Sequence, residues 1–184
     1  EPIRVALRLV NYAALVLLGG LLFVEYYLAN GSVTTFAARR IVRASTIALA
    51  LAPLASFFIF MNDVRNTSES FTSAFSTAIS LTPGLMLAAR AGIGVLLAGF
   101  LHRALQQGEM TKPFLHRIGA LFTISCVALA YGGHSRSQAA PLLGVPADVL
   151  HVFGISLWLG GLAALLLVVM AFAFYNDLNR LFSG

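Results

Sequence analysis

The amino-acid sequence predicts an all-α, polytopic membrane helix bundle of about five transmembrane helices, with its amino terminus extracytoplasmic. Composition is the first reason. Of 184 residues, 59% are hydrophobic and 10% charged, and the mean hydropathy is +0.86, which leaves too few polar groups to wet the outside of a soluble domain. Uncharged runs are the second. Residues 44–62 and 149–176 contain no Asp, Glu, Lys or Arg, and each as a helix crosses the roughly 30 Å of a bilayer's hydrocarbon. Third, the runs are continuous, whereas barrel strands alternate in polarity over about ten residues.

The first span is expected over residues 5–28, where Asn30-Gly31-Ser32 supplies a stop. The second covers 44–61, after the basic cluster Arg39, Arg40 and Arg43. The third covers 78–101 and carries Arg90 near mid-membrane, the fourth covers 115–133, and the fifth covers 147–174. Residues 66–77 are rich in Ser and Thr and read either as a loop or as a surface-lying turn of helix. The length suits one bundle over 1–184 without further domains. A single cysteine, Cys126, excludes an internal disulfide. No Walker-type glycine loop points to ATP hydrolysis, and no nucleophile–base pair at a suggestive spacing points to an enzyme.

Basic residues set the expected orientation. Arg39, Arg40, Arg43, Arg103, Lys112, Arg117 and Arg180 fall on one side of five spans, and Arg4, Arg8, Arg65 and Arg136 on the other. The richer side is expected to be cytoplasmic. The net charge of +5 is thereby accounted for by topology and lipid headgroups, without nucleic acid.

With that orientation, the stretch ADVLHVFGISLWLGG at 147–161 opens the fifth span on the outer side. Helical rise puts His151 roughly one turn, about 5.4 Å, below the surface. YGGHS at 131–135 ends the fourth span on the same side and carries His134. Asp148 precedes His151 by three residues and shares its face. Met61, closing the second span, and Asp63 fall on the same side. Imidazole and thioether suit copper, thioether favouring Cu(I) and carboxylate tolerating Cu(II). Asp148 reads as a third ligand or as the group that holds a ring N–H of a ligating histidine. The alternative reading makes each histidine a polar tip at the membrane interface.

GGHS at 132–135, followed by ADVLHVFGISLWLGGLAALLL at 147–167, resembles the signature of the CopD family of copper resistance and copper transport membrane proteins. In that family a Gly-His pair ends one helix and Asp-x-x-His opens the next, which runs on to Trp-x-Gly-Gly-Leu. The matching positions are Gly133, His134, Asp148, His151, Trp158, Gly160, Gly161 and Leu162. TPGLMLAARAGIGVLLA at 82–98 is similar to the family's preceding Arg-containing helix. The resemblance implies a copper-binding protein of a bacterial inner (plasma) membrane that takes part in copper ion transport or homeostasis. Its ion is captured at the periplasmic face by His134 and His151. A periplasmic copper chaperone is an implied donor. Family members continue with about three more helices, so the chain reads as a truncated or short member. The alternative from another class is a non-catalytic accessory helical subunit of a larger membrane complex.

Two further groups call for an account. Arg90 has to face the interior, because a charge near the bilayer centre costs at least about 2.5 kcal/mol without partners or water. Glu25, the acidic residue within a span, lies about 12 Å nearer the cytoplasm by helical rise. Arg90 therefore reads either as part of a polar pathway or as an interhelical clasp. His102 and His116, at the cytoplasmic boundary, read as interfacial residues or, as a third function, as ligands of a b-type haem.

Overall fold

The computed structural model describes residues 1–27, 36–65, 70–107, 111–132 and 141–182, which form helices and, among the described residues, no strand. The elements are α1 (Pro2–Tyr27), α2 (Phe36–Val64), α3 (Phe71–Ser80), α4 (Thr82–Gln107), α5 (Lys112–Tyr131) and α6 (Pro141–Phe182). All but α3 contain a stretch long and apolar enough to cross a membrane.

Residues 66–77, ambiguous in sequence, contribute most of α3. Its start is fixed by Ser70, whose hydroxyl accepts a hydrogen bond from the Ser73 N–H at 3.2 Å and so satisfies one of the orphan donors of a first turn. Its end at Leu81, in extended backbone, follows from Pro83. A proline there has no N–H for, and its ring collides with, the carbonyl four residues back, which disfavours continuing α3, whereas proline is tolerated in the first turn of α4. Ala78, expected to open the third span, is therefore buried in α3.

The fifth span also begins earlier than expected. α6 starts at Pro141 and runs through Pro146, where the sequence reads as a loop up to Ala147. Pro146 leaves only the Leu142 carbonyl without its helical partner, and Leu142 is 89% exposed, so the loss falls at an open first turn. His151 consequently stands ten residues into α6, about 15 Å along its axis and not one turn from its start.

Consecutive spans alternate in direction. Arg4 Nη2 donates to Asp63 Oδ1 at 2.7 Å, joining the start of α1 to the end of α2. Tyr26 Oη and His116 Nε2 share a hydrogen bond of 3.1 Å, joining the end of α1 to the start of α5. α6 packs on α1 and α5, and α2 on α1 and α4. The starts of α1, α4 and α6 thus share one end of the bundle, here the amino end.

Small residues set the closest approaches. Gly20 and Gly160 face each other so tightly that a Cβ on Gly160 would lie 3.0 Å from Gly20 Cα and 2.9 Å from the Val16 carbonyl carbon. At the α2–α4 contact, Pro53 leaves the Leu49 carbonyl without its i+4 donor, and Gly94 packs directly on that peptide. Hydrocarbon tails are as apolar as leucine, so van der Waals fit of this kind is what associates helices in a bilayer.

The main core lies in the half away from the amino end. Leu15, Leu18, Leu97, Leu101, Ile118 and Phe122 are its centre. A second, smaller cluster of Phe57, Met61, Ala74 and Ala78 holds α3 against α2 and α4. Near the amino end, α1 and α6 instead expose Ile3, Val5, Leu9, Leu142, Leu143 and Leu150.

Candidate metal centre

Asp148 and His151 are both exposed on α6. At 100° per residue their three-residue spacing leaves them about 60° apart around the helix, on one flank. Trp158, seven residues past His151 and 72% exposed, continues that flank. α6 packs inward through Val149, Val152, Phe153, Ser156 and Ala164, so carboxylate and imidazole lie beside the packed seam. His134 lies outside the described residues, and the expected meeting of the two imidazoles concerns it.

His151 is level with Asn11 of α1. The Gly20–Gly160 contact sets the register of two parallel helices, and both residues stand nine positions before it. Asn11 is 4% exposed, and its Oδ1 has no hydrogen-bond partner. Sequence reasoning passed over it, although an amide inside an apolar span, seven residues before the buried Leu18, was the available signal.

Met61 is at the amino end as expected but is 7% exposed within the α2–α3–α4 cluster. There it packs among apolar side chains of α2, α3 and α4. Asp63 is held by Arg4. Among the described residues no three or more His, Cys, Asp or Glu side chains gather as a metal site.

Arg90 is half-buried, and the Tyr12 phenol of α1 lies within its electrostatic reach. No ion pair joins it to Glu25 among the described residues. At the opposite end His116 is engaged by Tyr26, and Gln106 Nε2 donates to His102 Nε2 at 3.1 Å. These are hydrogen bonds to separate partners at the interface. Cys126 is fully buried in the main core among Ile118, Phe122 and Leu129, as a packing residue.

The fold and its apolar helices define a polytopic, all-helical membrane protein. Compared with known proteins, the chain is 29% identical over 183 aligned residues to the copper transport protein CutJ of Bacillus subtilis (strain 168). The alignment covers 92% of this chain and 32% of that protein, so the chain spans about a third of the length of the curated relative it matches. No family model matches the chain. No solved structure matches it either.

Proposed function

We propose that this protein binds a copper ion at the amino end of its bundle and takes part in moving that ion across, or holding it at, a bacterial inner membrane. The observation that carries the reading is the likeness to a copper transport protein along nearly the whole chain, on a bundle with five membrane-crossing helices. His134 and His151 are the proposed ligands, and Asp148 completes or orients the set. Met61 enters as a soft donor at the same end. The amino end faces outside the cytoplasm, following the excess of arginine and lysine at the other end, and a periplasmic chaperone delivers the ion. The protein carries copper as cargo and is not an enzyme.

The test is metal stoichiometry of the purified full chain. His134→Ala and His151→Ala each abolish stoichiometric copper, whereas Met61→Leu, which keeps the volume of a buried side chain, separates its packing role from a ligand role. Retention of copper by both histidine variants defeats the assignment. The second reading, an accessory subunit of a larger membrane complex, draws on the exposed flank of α6 that includes Leu150 and Trp158. Metal-free protein that co-purifies with other subunits is the outcome that favours it.

A further inference from the structure

Glu25 is an acidic side chain within an apolar span, and it is 7% exposed with no partner for its Oε2. It stands 14 residues beyond Asn11 on α1, about 21 Å farther from the amino end, and so is remote from Asp148 and His151. Four turns of helix bring Asn11 and Glu25 to the same side of α1 within about 40°. The buried Leu18 separates them.

Among the described residues no charged group pairs with Glu25. α1 packs against α2, α5 and α6. On α1 itself the neighbouring Tyr26 turns to His116 of α5. α2 brings Arg39, Arg40 and Arg43 to this end, with Arg40 and Arg43 exposed, and α5 adds the exposed Lys112 and Arg117. α6 has no titratable group beyond His151 among its described side chains. None of these groups forms an ion pair with Glu25. Buried Thr46, a neutral candidate partner on α2, spends its hydroxyl on the Val42 and Arg43 carbonyls of its own helix.

An ionised carboxylate without partner or water is far costlier to bury than the neutral acid, and ionisable groups inside membranes mark ion and proton pathways. We propose that Glu25 is a proton-binding site of the bundle, which holds its proton while the α1–α2–α5 interface is closed and releases it when that interface opens to water. The exchange is a simple acid dissociation, one carboxylic acid giving one carboxylate and one proton. Its link to cargo rests on the copper reading: a proton released at Glu25 offsets one charge of a cation entering the bundle. The protonation itself does not depend on that reading.

The experiment treats the full chain in lipid vesicles with N,N′-dicyclohexylcarbodiimide, which partitions into hydrocarbon and takes up the proton of a carboxylic acid before the carboxyl adds to it. Peptide mass spectrometry locates the adduct. Wild type carries it at Glu25, Glu25→Gln loses it at unchanged helicity, and Glu25→Asp regains labelling at that position. An unlabelled Glu25 in folded wild-type protein, or labelling of the same peptide that persists in Glu25→Gln, overturns the proposal. His151→Ala is expected to retain the adduct. Labelled protein that binds no copper therefore sinks the copper reading alone, and copper-binding protein without the adduct sinks only the proton site.

Discussion

Replacing Gly160 by alanine probes the tightest seam of the bundle. The added methyl carbon would stand 3.0 Å from Gly20 Cα and 2.9 Å from the Val16 carbonyl carbon, with the Val16 oxygen closer still. All three are backbone atoms of α1, so no side chain can swing aside and α6 must move. Restoring ordinary contact takes a displacement of more than about 1 Å, which forfeits at least about a quarter to a half of the dispersion energy of each contact it opens. The seam includes Gly19 against Ser156 as well as Gly20 against Gly160, and overpacking of this kind typically costs about 1–3 kcal/mol. At about 2–4 °C per kcal/mol for a chain of this size, the melting midpoint of the detergent-solubilised protein should fall by several degrees. Gly154 is the control on the same helix, since a Cβ there meets nothing within 4 Å. Gly154→Ala should be neutral or raise the midpoint, alanine being the better helix former by about 1 kcal/mol. Equal midpoints for Gly160→Ala and Gly154→Ala would refute the assignment of α1–α6 association to this backbone contact.

The α2–α4 seam makes a parallel pair of tests. A Cβ on Gly94 would lie 2.5 Å from the Leu49 carbonyl carbon and 2.6 Å from the Ala50 nitrogen, so Gly94→Ala should destabilise by about 1–3 kcal/mol, while Gly92→Ala, with open space around its Cβ, should not; thermal melts of the two variants side by side decide it. At the far end, Tyr26→Phe removes the hydrogen bond to His116 and should reduce stability by about 0.5–1.5 kcal/mol. A double-mutant cycle with His116→Phe isolates that pair, and a coupling energy near zero would show that the bond contributes nothing.

The fold class was legible because the bilayer imposes it. A backbone in hydrocarbon has to satisfy its own polar groups, so a long uncharged run reads as a helix whatever its neighbours do. Element ends were less legible. Pro146 read as a loop residue, yet α6 runs through it, because a proline near an exposed start removes a hydrogen bond that water replaces. Pro83 does accompany a break, α3 giving way to α4 at Leu81. Pro53, deep inside α2, ends no helix either, so one residue type gave different outcomes that composition does not reveal.

For the candidate site, sequence placed Asp148 and His151 on one flank of one helix, a relation fixed by helical pitch alone. The same sequence grouped Met61 with them because all three fall at one end of their spans. End position, however, says nothing about the angle around the bundle, and only the packed structure shows Met61 buried among apolar side chains of α2, α3 and α4. Glu25 stood out as an acid in an apolar span, whereas its lack of a partner emerged only once α2, α5 and α6 were packed around it.

What the sequence determined by itself is whatever follows from one helix in hydrocarbon: the presence of apolar spans, their helical state, and the faces that nearby residues share. What the tertiary structure decided is which helix meets which, through Gly20 on Gly160 and Gly94 on Leu49, and hence which polar atoms are left without a partner. The physical reason is that lipid tails solvate every apolar face about equally well, so hydrophobicity drives a segment into the membrane without selecting its neighbours. That choice falls to steric fit between particular backbones, which appears only when the chains are packed together.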